Sequence, residues 1–301
     1  MSLFKKAHRA QSRLRIALFG PSGSGKTLSA LVLAASIAKF EAERRGEKGC
    51  GKVAVIDTEN GRASLYVGHE SLPPGFVFDT VRIKAPFTPE RYVKYIEGAA
   101  LEKYDVVVVD SVSHAWAGKG GMLDQKDQAS GNNFTAWRKV SKQHQRLVDA
   151  LVQTDVHMVA TCRTKTAYEM VDDQTTGKKS VKKIGTAPVF REGLEYEFVL
   201  CWELDMDHVA NPTKDNTSMF DTPDGKICEI ISNMHGSRMI KWLYDHAPSE
   251  EDEELFAEAN AAEEEEVEEI DADGETSEEV EEVLPVKSRK AKSAPTGDSI
   301  F

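Results

Sequence analysis

A glycine-rich segment near the start of the chain has the residues and spacing to bind phosphate groups. Residues 20–27 read Gly-Pro-Ser-Gly-Ser-Gly-Lys-Thr, which fits the P-loop spacing Gly-x-x-x-x-Gly-Lys-Ser/Thr. Backbone N–H groups of such a turn, and of the helix that follows it, present partial positive charge to phosphates. Lys26 would then reach the outer phosphates of ATP, and Thr27 would hold Mg²⁺. The predicted nucleotide-binding residues are Gly20, Pro21, Ser22, Gly23, Ser24, Gly25, Lys26 and Thr27.

Two carboxylates further along the chain could complete a phosphate-cleaving site. Asp110 ends the apolar run 104–110, where it could hold the magnesium shell through water. Glu59 lies two residues beyond a predicted strand that ends at Asp57. Because strand carboxyl ends line the ligand crevice of a doubly wound sheet, Glu59 is the candidate to orient or deprotonate the attacking water. The alternatives are a turn-capping Asp110 and a Glu59 that only solvates a loop.

The elements that would position these side chains alternate along the chain. Apolar and β-branched runs predict strands at 14–19, 52–57, 76–83, 104–110 and 156–161, and apolar periodicity predicts helices at 27–45, 88–102 and 134–151. This alternation predicts an α/β fold with a mainly parallel, doubly wound sheet. Segments 118–133 and 162–188 lack periodicity, a strand pattern resumes at 195–204, and Ser232 could cap a last helix that reaches His246.

The charge of the chain is unevenly distributed. Residues 250–301 hold 20 acidic and four basic residues, whereas residues 1–249 hold 30 acidic and 34 basic ones, so a net charge of −12 conceals a mildly basic body. A segment this acidic cannot bury enough apolar surface to offset the conformational entropy that it would lose on folding. We therefore predict a basic N-terminal segment at 1–12, a folded core at 13–248 and a disordered acidic tail at 249–301.

Several classes of protein are disfavoured by composition. The four cysteines are far apart and the eight histidines form no cluster, which predicts free thiols and no metal site built from protein ligands alone. No apolar run approaches the ~18 residues that span a bilayer. The first residues lack the long apolar stretch of a secretory signal. We expect a cytoplasmic protein, in the host bacterial cytoplasm if the chain is phage-encoded.

With Asp57-Thr58-Glu59 after the second core strand, the chain resembles the RecA-like core ATPases, in which Asp-x-Glu at this place supplies the catalytic glutamate. It is most similar to small phage-encoded RecA-like ATPases of the single-strand-annealing recombinase group. The resemblance covers about residues 13–246. Its more specific segments are 110–116 (DSVSHAW), 137–140 (WRKV), 182–185 (KKIG) with 187–188 (AP), and 191–198 (REGLEYEF).

The resemblance implies two DNA-binding loops, one after Asp110 and one after Thr161. Composition independently permits the second, because residues 163–183 carry six cations and three acids and could follow a phosphate backbone. A solvated surface loop is the alternative that composition leaves open. The predicted DNA-binding residues are Arg163, Lys165, Tyr168, Lys178, Lys179, Lys182 and Lys183. His114 and Trp116 would begin the first loop, whereas Trp137 is predicted to be in the core.

The resemblance further implies a homo-oligomer, either a ring or a filament, in which a basic residue of one subunit reaches the next subunit's nucleotide. Lys214 matches that residue, with a lysine in a hairpin turn as the alternative. Residues 4–7 (FKKA) resemble the Phe-x-x-Ala polymerisation tether of relatives. Residues 297–301 resemble the acidic, aromatic-ended tip of single-strand-binding proteins, which makes such a protein a further candidate partner; a tail that only confers solubility is the alternative.

Together these features predict an ATPase that needs ATP and Mg²⁺, with Glu59, Lys26 and Lys214 in catalytic roles. The expected activity is that of a recombinase that binds single-stranded DNA and promotes annealing or strand pairing in phage DNA recombination. Two alternatives stay open: a P-loop small-molecule kinase, and a DNA-binding scaffold that uses ATP as a switch without essential hydrolysis. A kinase needs a lid with arginines, whereas the segment after Thr161 is mostly lysine and threonine.

Overall fold

A computed structural model describes residues 7–129, 132–172 and 179–245. The strands are β1 (Arg15–Gly20), β2 (Val53–Asp57), β3 (Asp79–Arg82), β4 (Val106–Asp110), β5 (His157–Asp172), β6 (Lys179–Pro188), β7 (Leu200–Leu204), β8 (Val209–Asp215), β9 (Asp221–Thr222), β10 (Gly225–Lys226) and β11 (Glu229–Ile230). The α-helices are α1 (Lys26–Arg44), α2 (Pro89–Leu101), α3 (Ser113–Ala117), α4 (Met122–Gln128), α5 (Asn133–Gln153) and α6 (Asn233–Tyr244). Short 3₁₀ helices span Arg9–Gln11, Ala63–Tyr66 and Leu194–Glu197.

One sheet organises the fold. Its strands are hydrogen-bonded in the order β11-β8-β7-β1-β5-β4-β2-β3, and β6 pairs with β5 outside this path. Neighbours from β7 to β3 are parallel, whereas β8 and β11 are antiparallel at one edge. Because parallel neighbours require crossover connections, helices cover both faces of the sheet. The predicted α/β fold with a mostly parallel central sheet is confirmed.

Two apolar layers hold the helices against the sheet. One contains α1, α6 and inward side chains of β1, β2 and β7, and the other contains α2, α5 and the opposite faces of β1, β4 and β5. The run Val106–Asp110 is buried throughout, as expected for a strand covered on both faces. The last helix lies close to α1, because a Cβ on Gly236 would lie 2.6 Å from the Ser36 Cβ.

The helix boundaries follow their sequence signals closely. Thr88 is the N-cap of α2, Pro89 occupies its first turn, and the helix ends at Leu101. Ser232 is the N-cap of α6, as predicted. Among the described residues, none of the helices has the length and hydropathy needed to span a bilayer.

Four element predictions were wrong in detail. The segment after Thr161 is a β-hairpin rather than an irregular loop, since β5 continues to Asp172 and pairs antiparallel with β6. Backbone pairing makes this ribbon, and its sequence lacks the apolar alternation that marks a half-buried strand. The stretch predicted as aperiodic contains α4, the third strand is only four residues long, and the strand predicted at 195–204 begins at Leu200 after a 3₁₀ turn. The predicted tail, the residues 4–6 and Lys178 lie outside the described residues.

The close approach of α6 to α1 predicts the effect of two glycine substitutions. Gly236→Ala inserts a methyl group against α1 and should lower the free energy of unfolding by about 1–3 kcal/mol. Gly98→Ala is the matched control, because Gly98 lies within α2 with no atom within 4 Å of a built Cβ. It should raise stability by about 0.5–1 kcal/mol. Urea unfolding measures both, and equal effects of the two changes would contradict the close packing.

Candidate functional site

The glycine-rich turn joins β1 to α1 in a conformation that requires glycine. Gly23 and Gly25 have φ angles of 92° and 85°, in the left-handed region that L side chains rarely adopt. A Cβ on Gly20 would lie 2.5 Å from the Leu204 carbonyl oxygen. Gly25 is the N-cap of α1, so the unpaired N–H groups of a 19-residue helix begin directly after it.

A cavity of about 280 Å³ opens beside this turn and brings together most of the predicted nucleotide, metal and catalytic residues; Gly20, Pro21, Ser24 and Lys214 do not line it. It is lined by Ser22, Gly23, Gly25, Lys26, Thr27, Glu59 and Asp110. The parallel sheet explains why residues so far apart in the chain meet in one cavity. The carboxyl ends of β1, β2, β4 and β5 lie at one edge of the sheet, with Gly20 opposite Arg163 and Asp57 opposite Asp110 in register.

Asp110 is buried at the centre of this edge, with 1% of its surface exposed. The Thr27 hydroxyl donates to its Oδ2 at 2.8 Å, and the Thr161 hydroxyl donates to its Oδ1. Burial raises the pKa of Asp110, and the charges of Glu59 and Asp57 raise it further, although the two hydroxyl bonds oppose this. A buried carboxylate in such surroundings is stabilised by a cation.

The donor set at this point fits Mg²⁺. The ion prefers hard oxygen ligands and commonly takes one or two protein groups together with phosphate and water. Thr27 and Asp110 offer a hydroxyl and a carboxylate at the mouth of the glycine turn. Within the described ranges, no three His, Cys, Asp or Glu side chains form a group that could hold a metal. A cation here would therefore take most of its ligands from a phosphate group and water.

Lys26 lies within the turn that it is predicted to serve. Its ammonium donates to the Pro21 carbonyl at 2.6 Å and to the Ser24 hydroxyl at 3.4 Å. Burial lowers the pKa of Lys26, while the charges of Asp110 and Glu59 oppose the lowering. The ammonium is thus held among P-loop oxygens at the cavity.

Asp57 shapes the turn that presents Glu59. Its carboxylate is fully buried and accepts hydrogen bonds from the backbone N–H groups of Glu59 at 2.6 Å, Gly61 at 3.2 Å and Ala63 at 3.3 Å. These bonds fold the chain back at the end of β2, and the Glu59 side chain enters the cavity with 6% of its surface exposed. Of the two acids in the Asp-x-Glu pattern, Asp57 therefore stabilises the turn, and Glu59 faces the cavity.

Two arginines hold the Glu59 carboxylate. The guanidinium of Arg163 donates from Nε to Oε1 at 2.7 Å, its Nη2 also lies 2.7 Å from Oε1, and Arg62 Nη1 lies 2.9 Å from Oε2. Arg163 was predicted to contact DNA, whereas the structure places its guanidinium in the cavity on Glu59. Sequence reasoning missed Arg62, although its position three residues after Glu59 was an available signal. Both oxygens of the Glu59 carboxylate are thus held by guanidinium groups, which fixes its position in the cavity.

The other predicted residues lie elsewhere. Lys165 is exposed on β5, and the backbone register places Tyr168, Lys179, Lys182 and Lys183 on the hairpin, although their side chains lie outside what the structure describes. The Lys214 ammonium donates to the Tyr196 and Glu195 carbonyls at 2.7 and 3.2 Å and does not line the cavity.

The predicted aromatic residues of the first loop are packed against other rings. His114 stacks on Phe87 with centroids 4.9 Å apart, and its Nδ1 lies 2.8 Å from the Thr58 hydroxyl. Trp116 stacks on Trp137 at 6.2 Å and packs on Phe190. Trp137 is partly buried against the core, as its position on the apolar face of α5 predicts.

Several apolar residues that line the cavity were not found from the sequence. Leu28, Val32, Tyr66, Ile230 and Ile231 line the same cavity as the charged groups. They come from α1, from the 3₁₀ helix after β2 and from the segment at the end of β11, which are far apart in the chain. The cavity therefore combines polar groups suited to phosphates with apolar side chains suited to a nucleobase.

Comparison with known families gives one match. A family model described as an AAA domain matches residues 12–230, which include the glycine turn, Glu59 and Asp110. No curated protein sequence matches the chain.

The position of Lys26 predicts that nucleotide binding depends on it. Lys26→Ala should weaken ATP binding at least tenfold, about 1.4 kcal/mol, because the outer phosphates lose their closest protein cation. Lys39→Ala is the matched control, since Lys39 lies on the same helix but is half exposed and near Glu43. Titration calorimetry with ATP and Mg²⁺ measures both, and wild-type affinity in Lys26→Ala would show that the turn does not bind phosphates.

Proposed function

Because the chain belongs to this AAA-domain family of P-loop ATPases, we propose that it is an ATP-dependent recombinase that binds single-stranded DNA and promotes annealing or strand pairing. One observation carries the nucleotide chemistry: Lys26, Thr27, Glu59 and Asp110 line one cavity beside the glycine turn. The DNA chemistry is supported by the charge of the surfaces that lie next to this cavity.

In the proposed complex, the phosphates of ATP would lie on the glycine turn. The backbone N–H groups at the start of α1 and the Lys26 ammonium would bind the outer phosphates. Thr27 and Asp110 would hold a magnesium ion, whose charge would offset that of the phosphates. Apolar side chains that line the cavity, among them Tyr66 and Ile231, would contact the base.

Glu59 has the chemistry required to activate water. In hydrolysis it accepts one proton of the attacking water while the water oxygen bonds to the terminal phosphorus. The bond from that phosphorus to the bridging oxygen breaks, and ADP leaves with the bridging oxygen. The depth of Glu59 in the cavity suits this part, because a desolvated carboxylate faces the place that a terminal phosphate would occupy.

Substitution of this carboxylate separates binding from hydrolysis. Glu59→Gln should lower kcat for ATP by about 10²- to 10⁴-fold, because the amide cannot accept the proton. ATP binding should persist, since the glycine turn and Lys26 are intact. Glu70→Gln is the control, because Glu70 is exposed on the same stretch of chain. Phosphate-release kinetics measure the rates. A protein that still promotes strand annealing at the wild-type rate after Glu59→Gln would be a switch that does not need hydrolysis.

The position of the hairpin supports a coupling between nucleotide binding and the binding of a polyanion. It is a direct continuation of β5, the strand that places Thr161 on Asp110 and Arg163 on Glu59. Lys165 is exposed two residues further on, and the hairpin sequence adds more cations. Force on the hairpin is therefore transmitted along one continuous strand to both carboxylates of the cavity.

A basic face of α5 belongs to a helix that contacts the segment directly after this hairpin. From Asn133 to Val148 the helix has no acidic residue, and its four cations Arg138, Lys139, Lys142 and Arg146 are all exposed. Among the described residues, none of the four forms an ion pair. Phe134 is 78% exposed on the same helix, and the Arg191 guanidinium, just past β6, donates to the Ser141 hydroxyl at 3.2 Å. Unpaired cations with an exposed aromatic ring suit a single strand, whose phosphates and bases bind both.

The assembly of subunits is part of the proposal. In a ring or filament, Lys214 would exchange its carbonyl partners for the nucleotide of the next subunit. Among the described residues, the partners of the Lys214 ammonium are uncharged carbonyl oxygens, which a phosphate can replace without leaving a charge unpaired.

The DNA role predicts that single-stranded DNA stimulates hydrolysis. Oligothymidine should raise kcat for ATP, and the effect should fall as salt rises, because phosphate contacts release counterions. Arg138→Gln with Lys142→Gln should lower the dependence of log Kd on log salt by about 0.7 for each cation. Lys39→Gln with Lys241→Gln is the control pair, on α1 and α6.

The outcome also separates the alternatives. An ATPase rate that is the same with and without DNA across a range of salt would contradict the recombinase proposal. Chromatography of the products distinguishes a kinase, which labels an acceptor, from an ATPase that releases ADP and free phosphate.

A further inference from the structure

The cavity contains an arginine that the hydrolysis scheme above does not use. Arg163 lies on β5 beside the glycine turn, since its backbone is in register with Gly20 on β1. Its guanidinium lines the cavity and is 38% exposed, yet both of its bonds to a carboxylate go to one oxygen of Glu59. The guanidinium is thus bonded to the proposed base and lines the cavity that would hold the phosphates.

The ion pair poses a chemical conflict. A water molecule that bonds to Glu59 must compete with the two guanidinium groups that hold both of its oxygens. Arg62 is three residues away on the turn that carries Glu59, so it moves with the carboxylate. Arg163 belongs to a different strand and can separate from Glu59 without any change in the turn at the end of β2.

Arg163 also lies near the place of the outer phosphates. The Arg163 backbone is in register with Gly20 at the start of the glycine turn, and both Arg163 and Lys26 line the same cavity. Both cations can therefore act on a phosphate group bound there. A terminal phosphate is a stronger partner for a guanidinium than one carboxylate oxygen, because it offers more charge and more acceptor oxygens.

We propose that Arg163 exchanges Glu59 for the terminal phosphate of ATP, which frees Oε1 of Glu59 as the base and places a guanidinium on the phosphate that is cleaved. This inference rests on the proposed ATP hydrolysis and assigns a phosphate-contacting residue to it. It requires no second subunit, because Arg163 and Glu59 belong to one chain.

The same exchange gives the hairpin control over hydrolysis. The Arg163 backbone is held at the base of the hairpin, where its N–H donates to the Ser113 hydroxyl at 2.8 Å and its carbonyl accepts from Val189 N–H at 2.7 Å. A polyanion that shifts the hairpin therefore shifts Arg163. Its guanidinium then moves relative to Glu59, and the rate of hydrolysis changes with it.

Binding measurements without turnover test the exchange. Arg163→Ala should weaken binding of the non-hydrolysable analogue AMP-PNP about tenfold while ADP affinity stays the same, because only the terminal phosphate loses a partner. Arg163→Lys should restore part of the difference, since lysine keeps the charge without the planar fork. Arg82→Gln is the matched control: the Arg82 guanidinium packs on Gly61, on the turn that carries Glu59, but does not line the cavity.

Two further measurements complete the test. Crystals with ADP should keep Arg163 on Glu59, whereas crystals with AMP-PNP and Mg²⁺ should show it on the terminal phosphate. In Arg163→Ala, kcat should fall about 10³-fold. Oligothymidine should still bind this variant but should no longer stimulate its residual hydrolysis.

The outcomes are distinct from those that test the DNA role. Equal losses of AMP-PNP and ADP affinity in Arg163→Ala, or Arg163 still on Glu59 beside AMP-PNP, would overturn the exchange even if DNA stimulates the wild type. A wild type that DNA does not stimulate, with the binding and crystal results as expected, would leave the exchange standing and refute the control by the hairpin.

Discussion

The burial of Asp110 is the constraint around which the site is arranged. A carboxylate removed from water needs hydrogen bonds or a cation, and its surroundings supply two hydroxyl donors, from Thr27 and Thr161. These donors lie on α1 and β5, on either side of the glycine turn. Asp110 therefore ties the phosphate-binding helix to the strand that becomes the hairpin, and a metal ion at this point would be held by groups that are already in place.

Charge balance explains the other half of the cavity. Two acids, Glu59 and Asp110, face three cations, Lys26, Arg62 and Arg163, within one cavity. Every one of these groups has a partner within the cavity or its walls. Binding a polyphosphate must therefore rearrange existing pairs, and the pair that links two different strands, Glu59 with Arg163, is the one that can open without distorting a turn.

The order of strands in the parallel sheet connects this ion pair to the hairpin. β5 lies between the strand of the glycine turn and the strand of Asp110, and its continuation leaves the sheet as a hairpin. A single strand thus contacts both carboxylates, through Thr161 and Arg163, and carries the exposed Lys165 two residues further on. Four exposed cations lie on α5, which contacts the segment that follows β6. The geometry suits a protein in which a nucleotide and a polyanion affect each other.

Local chemistry explains what the sequence determined by itself. The glycine turn depends on positive φ angles and a close backbone approach, and the Asp57 turn depends on bonds within seven residues, so both are encoded locally. The alternation of strand-like and helix-like apolar patterns was enough to predict the order of the core strands and helices along the chain. The remaining features depend on contacts between residues that are far apart in the sequence and meet at the edge of the sheet. Only the tertiary structure turned the segment after Thr161 into a hairpin, placed Arg163 on Glu59, and brought apolar side chains from α1, from the turn after β2 and from the end of β11 into the cavity.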